Sequence, residues 1–150
     1  MRYKTLGKTG LNVSVATVGT WAIGGSGWGA VDRQDSIAAI RSMLDNDVNI
    51  VDTAPIYGRG YSEEVVGEAI KGYDREKLII STKCGLVWGE GAPKDGRDVS
   101  GKSIIRGLIS ACLGLLISCV GTDPMTSYDR FTFGIPRLYL GLDLAVCLIG

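Results

Sequence analysis

The first hundred residues alternate between short apolar runs and segments whose apolar positions recur at helical spacing. Residues 15–21, 49–54 and 77–83 form the short runs, which are typical of strands buried on both faces of a parallel sheet. Residues 35–45 and 62–70 repeat apolar side chains every three to four positions and predict amphipathic helices. This strand–helix order predicts an α/β fold with helices packed outside a parallel sheet.

Local signals sharpen the boundaries of these elements. Residues 2–6 and 12–15 are extended candidates on either side of the turn-forming segment 7–10, and together they predict a hairpin. Asp32 stands where an N-cap would begin the first helix, and Ser62 is the predicted N-cap of the second.

Composition narrows the classes of function. Lys plus Arg and Asp plus Glu each number 16, so no basic face points to nucleic acid or to a membrane surface. Histidine is absent, which excludes catalysis by an imidazole of this chain, and we predict no metal site. The four cysteines form no CxxC pair and no apolar segment follows the charged start. Reduced thiols and a cytoplasmic location are therefore expected.

Three residues could carry chemistry together. Asp52 and Lys83 fall at the carboxyl ends of predicted strands, where (β/α)8 barrels place their catalytic groups, and Tyr57 follows Asp52 in a loop. Taken singly, Asp52 could cap a turn, Tyr57 could be a packing residue and Lys83 could merely end a strand. As a set they suit carbonyl reduction, in which a tyrosine can donate a proton. The pKa of a tyrosine phenol is ordinarily about 10, and a nearby ammonium lowers it. A carboxylate can hold that ammonium in place.

The motifs around these residues resemble one family. The chain reads GTWAIGG at residues 19–25, DTAPIYGRGYSEE at 52–64 and Thr-Lys at 82–83. With the opening segment, this combination is similar to the aldo-keto reductases over roughly residues 1–103. The resemblance divides the chain into the N-terminal part of a reductase barrel, 1–103, and a divergent apolar tail, 104–150.

What the resemblance implies is an oxidoreductase on a TIM barrel that uses NADP(H) to reduce a small-molecule aldehyde or ketone. It implies that Tyr57 is the general acid, that Lys83 tunes it and that Asp52 pairs with Lys83. At 150 residues the chain has room for a partial (β/α)8 barrel only, since a complete one needs about 250. The expected fold is the hairpin, the first three or so βα units and an irregular apolar tail.

The resemblance also implies which residues meet the ligands. Gly19, Thr20 and Trp21 would line the nicotinamide end of the pocket together with Asp52. Trp21 and Trp88 would contact the substrate, although Trp88 reads equally well as an exposed loop aromatic.

The glycine-rich loop allows a competing interpretation. Residues 25–30 meet the loose G-x-G-x-x-A form of a Rossmann phosphate loop. Trp28 intrudes where a close backbone approach is needed, and Asp32 would bring negative charge to the helix start that binds the pyrophosphate. Both features favour the reductase interpretation.

The tail departs from the family pattern. The histidine that completes the family's catalytic set is missing, and residues 107–122 carry no charge. This run is shorter than the roughly 20 residues of a transmembrane helix, so we expect no membrane span. A catalytically inactive fragment or a small interaction module is the alternative to an active reductase. The abrupt change near Arg106 suggests a disrupted reading frame, and a short protein with its own tail is the competing explanation.

Overall fold

A small antiparallel hairpin opens the chain. A computed structural model describes residues 1–91, 96–117 and 147–149, with side chains for 1–91 and 96–111. Strand β1 (Tyr3–Thr5) pairs with β2 (Asn12–Ser14), and Lys4 lies opposite Val13. The predicted hairpin is confirmed.

The main sheet has four strands in the order β3-β4-β5-β6. Strands β3 (Val18–Gly19), β4 (Ile50–Asp52) and β5 (Ile79–Thr82) run parallel, as the sequence predicts. Strand β6 (Cys147–Ile149) pairs antiparallel with β5, so the tail contributes a strand that a purely parallel barrel would not contain. The described residues form a partial α/β fold with no closed barrel.

Two helices cover one face of this sheet. Helix α1 (Arg33–Asp45) begins at the predicted cap, where the Asp32 carboxylate accepts a hydrogen bond from the backbone N–H of Asp35 at 2.9 Å. Helix α2 (Tyr61–Ala69) begins after Gly60, whose φ of 97° is left-handed, and has no side-chain cap. The prediction that Ser62 caps α2 is wrong, because Ser62 lies inside the helix and its hydroxyl is bonded to buried Thr20, which directly follows β3.

The prediction of an irregular tail from residue 104 is wrong for its first part. Helix α3 (Gly101–Ile117) crosses that boundary and packs against α2, with Ala111 buried. The segment contains no proline and few competing polar groups, so its leucines continue the helix in spite of Gly107 and Gly114. No helix in the part of the chain that the structure describes is long and apolar enough to cross a membrane. The rest of the predicted tail, 118–146, lies outside the described residues.

The hydrophobic core lies between the main sheet and the helices that pack on it. Val51 and Ile80 of the central strands belong to one buried cluster with Ile40 of α1 and with Val65 and Val66 of α2, and all five are almost fully buried. Each such side chain contributes about 1.5–3 kcal/mol through burial. This packing fixes the three parallel strands as a unit, with their carboxyl ends along one edge.

Candidate active site

The candidate residues lie along the carboxyl edge of the three parallel strands. Asp52 is the last residue of β4, Trp21 lies two residues beyond β3, and Lys83 directly follows β5. The register places Gly19 and Ser81 on either side of Asp52. Residues far apart in sequence thus meet at the edge where barrel enzymes carry their chemistry.

The Lys83 ammonium is the centre of this group. Its Nζ lies 2.7 Å from Asp52 Oδ2 and donates to the carbonyl oxygen of Thr53 at 2.9 Å. The same atom lies over the Tyr57 ring, 5.0 Å from its centroid. The hydroxyl of Ser81 donates to the other Asp52 oxygen at 3.1 Å. The carboxylate is therefore held from two sides, and the ammonium is fixed against the aromatic ring.

A close backbone contact sets the position of the Tyr57 loop. The backbone N–H of Tyr57 donates to the carbonyl of Ala54 at 3.0 Å. A methyl group added to Gly24 would come within 2.6 Å of Gly58 N and 2.7 Å of Tyr57 C. Only glycine at position 24 allows the two loops to approach this closely.

Three aromatic rings form a row that ends at Tyr57. The Trp21 ring is stacked on it, with centroids 6.2 Å apart and planes at 23°, and Trp28 meets Trp21 edge-on at 5.8 Å and 74°. Trp21 and Trp28 are both more than half exposed. Trp88 lies in the loop after β5 and is 38% exposed. The row provides a broad aromatic surface beside the ammonium.

Glycine keeps the space beside Asp52 open. Gly19 is exposed, and a methyl group built on it would meet no atom within 4 Å. Thr20, which the resemblance also assigns to the nicotinamide pocket, is fully buried in this structure. Its hydroxyl donates to the carbonyl of Asp52 at 3.0 Å.

Buried hydroxyl groups lie directly beneath the edge. Ser62 Oγ is 2.8 Å from Thr20 Oγ1 and 3.2 Å from Thr53 Oγ1. All three residues have no exposed surface. This cluster joins the ends of two strands to the first turn of α2.

A buried carboxyl group lies on the same side of the fold. Glu63 is 2% exposed, and the Thr82 hydroxyl donates to its Oε1 at 2.6 Å. Burial raises the pKa of Glu63 above the ordinary range, and the Thr82 hydrogen bond opposes this rise only in part. Thr82 immediately precedes Lys83, so this pair fixes the end of β5.

The sequence interpretation missed several of these residues. It assigned no role in the site to Thr53, Ser81 or Trp28. One signal could have revealed Thr53, because a small hydroxyl residue in an apolar strand must find a buried partner. No sequence pattern reveals that Trp28 lies against Trp21.

Comparisons with known proteins agree with the motifs. The description "Aldo/keto reductase family" belongs to the family model that matches residues 17–109. The aldo-keto reductase YhdN of Bacillus subtilis is 48% identical over 89 residues, covering 59% of this chain and 27% of that protein. The NADH-specific methylglyoxal reductase of Escherichia coli is 44% identical over 90 residues, or 59% of this chain and 28% of its own.

A solved structure shows the same likeness in three dimensions. The aldo-keto reductase from Klebsiella pneumoniae in complex with NADPH superposes with a TM-score of 0.55 at 29% identity. The match covers 77% of this chain and 36% of that one. The chain therefore spans about a quarter to a third of the length of these relatives.

The C-terminal third is similar to a different family. Residues 97–150 match the tripartite tricarboxylate transporter TctA family, and this match overlaps the reductase match at residues 97–109. The reductase model covers well over half of the chain and includes every residue of the Asp52, Tyr57 and Lys83 group. The chain thus belongs to the aldo-keto reductase family.

Proposed function

We propose that this chain carries the proton-donating part of a nicotinamide-dependent carbonyl reductase. The observation that supports this best is the Lys83 ammonium, held between the Asp52 carboxylate at 2.7 Å and the Tyr57 ring at 5.0 Å. A cation fixed beside a phenol favours the phenolate that remains after proton transfer. This arrangement suits a general acid that acts on a developing alkoxide.

In the proposed reaction, one hydride and one proton add across the C=O bond. Reduced nicotinamide, when bound, supplies the hydride to the carbonyl carbon. The Tyr57 hydroxyl gives its proton to the carbonyl oxygen, and the phenolate that remains is stabilised by Lys83. Asp52 keeps Lys83 in place. Solvent then returns a proton to the tyrosine.

The described residues fit a planar nicotinamide ring at this edge. Gly19, with open space over it, lies beside Asp52 in the sheet, and the Trp21 ring is more than half exposed. Aromatic faces pack well against flat rings. We propose Gly19, Trp21 and Asp52 as ring contacts, with Thr20 shaping the pocket from beneath. The NADPH in the Klebsiella structure supports NADP(H) as the cofactor, whereas the E. coli relative is NADH-specific. The proposed substrate is a small aldehyde or ketone that packs against Trp21 and Trp88, and the proposed location is the cytoplasm.

The matched variants Tyr57→Phe and Tyr73→Phe test this function. Each removes one phenolic hydroxyl, but that of Tyr73 is bonded to the Asp45 carboxylate at 2.7 Å and belongs to no part of the site. We expect Tyr57→Phe to lower the rate of aldehyde-dependent NADPH oxidation by about 10²–10⁴-fold, with NADPH binding by fluorescence retained. Tyr73→Phe is expected to keep the wild-type rate. Equal rates for the two variants would contradict the proposal.

The similarity of residues 97–150 to a transporter family favours a second candidate. In it, the chain is a non-catalytic module, without the family histidine or a complete cofactor site, that is held at a membrane by its uncharged run 107–122. Flotation of the full chain with phosphatidylcholine vesicles, together with the absence of NADPH oxidation, would support this candidate. An active chain that stays at the bottom of the gradient would exclude it.

The intact mass of the protein from its native source tests the reading-frame hypothesis.

A further inference from the structure

Three buried hydroxyl groups beneath the candidate site form a hydrogen-bonded chain. The Thr20 hydroxyl must be the donor to the Asp52 carbonyl, since a carbonyl can only accept. The one proton of Ser62 Oγ has two acceptors on Thr20, the backbone carbonyl at 3.0 Å and Oγ1 at 2.8 Å. Thr53 Oγ1 lies 3.2 Å from Ser62 Oγ, and either hydroxyl can donate in this contact. These contacts connect Thr53 through Ser62 and Thr20 to the backbone carbonyl of Asp52.

Both ends of this chain touch the groups that hold Lys83. At one end is Thr53, whose backbone carbonyl accepts from Lys83 Nζ at 2.9 Å. At the other end is Asp52, whose carboxylate lies 2.7 Å from the same nitrogen. The hydroxyl chain therefore ties together the two acceptors of one ammonium.

The middle of the chain is connected to the proposed acid. The backbone N–H of Ser62 donates to the carbonyl of Tyr57 at 3.2 Å. Thr20 precedes Trp21, whose ring is stacked on Tyr57. A shift at Ser62 would thus move the tyrosine relative to the ammonium.

We propose that the Thr53–Ser62–Thr20 hydroxyl chain is a positioning device that sets the geometry between Lys83 and Tyr57. This inference rests on the proposed function for its catalytic consequence, but the geometry itself can be measured without turnover. Hydroxyl groups linked in series polarise one another in a buried site, and no water competes because all three residues are fully buried. The device acts through the residues it holds and touches no reacting atom.

Two substitutions at Thr20 separate the hydroxyl from the space it fills. Thr20→Val keeps the side-chain volume and removes the hydroxyl, whereas Thr20→Ser keeps the hydroxyl and removes the methyl group. A role in packing alone predicts that serine is the more damaging replacement. The positioning role predicts that valine is the more damaging replacement, because it removes the hydroxyl group. Ser62→Ala is a second test at the middle of the chain. Ser36→Ala is the matched control, because Ser36 is a buried helix serine bonded to the Asp32 carbonyl.

The decisive readout is the NMR shift of the Lys83 ε-methylene protons in the full chain. They lie near the Tyr57 ring, so its ring current displaces their resonance, and Tyr57→Leu identifies that displacement. We expect Thr20→Val and Ser62→Ala to lose most of it, and Thr20→Ser and Ser36→Ala to keep it. In parallel, kcat for aldehyde reduction should fall about tenfold in Thr20→Val and Ser62→Ala, with KM little changed. A tenfold fall corresponds to a rise of roughly 1.4 kcal/mol in the activation free energy.

The outcomes distinguish the two proposals. A displacement that survives in folded Thr20→Val and Ser62→Ala overturns the positioning device, as does a larger loss in Thr20→Ser than in Thr20→Val. A wild-type chain that shows the displacement and its loss in the variants but oxidises no NADPH supports the device and refutes the proposed activity. If Thr20→Val does not fold, the comparison of Ser62→Ala with Ser36→Ala decides.

Discussion

Replacing Lys83 by methionine separates the catalytic value of the ammonium from its value to stability. The half-exposed pair with Asp52 contributes about 0.2–1 kcal/mol, and the contact with the Tyr57 ring about 0.5–1 kcal/mol. Methionine keeps most of the apolar stem of lysine and its packing. With the lost bond to the Thr53 carbonyl, the total cost is about 1–3 kcal/mol. A domain stable by about 5–15 kcal/mol remains folded after such a loss.

The expected loss of activity is larger than this loss of stability. General acid catalysis accelerates a reaction by about 10²–10⁴-fold, which corresponds to about 3–5.5 kcal/mol of activation free energy. Urea unfolding and aldehyde-dependent NADPH oxidation, measured on the same preparation, give both quantities. Lys77→Met is the control, because the Lys77 pair with Asp74 is strongly exposed and should be neutral in both assays. A folded Lys83→Met chain that retains the wild-type rate would refute the proposed role of the ammonium.

Three further variants test the surroundings of the site. Burial raises the pKa of Glu63, so the folded chain binds the carboxyl proton of Glu63 more tightly than the unfolded chain does. The free energy of unfolding should therefore fall as the pH rises from the ordinary carboxyl range through the raised pKa. Glu63→Gln removes the titrating group, so its stability relative to the wild type should increase as the pH rises. If the stabilities of the two proteins in urea unfolding changed in parallel with pH, this prediction would be contradicted. Gly24→Ala should displace the Tyr57 loop, lowering stability by about 1–3 kcal/mol and reducing kcat, and a variant with unchanged kcat would show that the close contact is dispensable. Ile80→Ala should cost about 2–5 kcal/mol in urea unfolding, whereas Ile105→Ala on the exposed face of α3 should cost little; equal costs would place the core elsewhere.

Much of the fold could be predicted because short-range patterns determine the type of each element. The hairpin, the three parallel strands and α1 with its Asp32 cap occur where the pattern places them. The strands are shorter than predicted, since pairing partners and not hydropathy decide where a strand ends. The tail was the poorest prediction, because departure from a family pattern does not imply irregular structure, and α3 forms from helix-favouring residues.

The candidate site divides in the same way. The positions of Asp52 and Lys83 at strand ends follow from the sequence, and parallel pairing then brings them to one edge. Ser62 has the local appearance of a helix cap. Its true partners, Thr20 and Thr53, are 42 and 9 residues away, and a local pattern carries no information about such distances.

The sequence by itself thus determined the α/β order of elements, the chemical types available for carbonyl reduction and the strand ends that carry them. Only the tertiary structure decided that the Lys83 ammonium, which was expected to pair with Asp52, also lies over the face of the Tyr57 ring. It alone decided that Thr20 points into a buried hydroxyl chain and that β6 closes the sheet edge in the antiparallel direction. The physical reason is that hydropathy and capping depend on neighbours within a few residues. Hydrogen-bond partners, ring contacts and strand direction depend on which segments the packed core brings together.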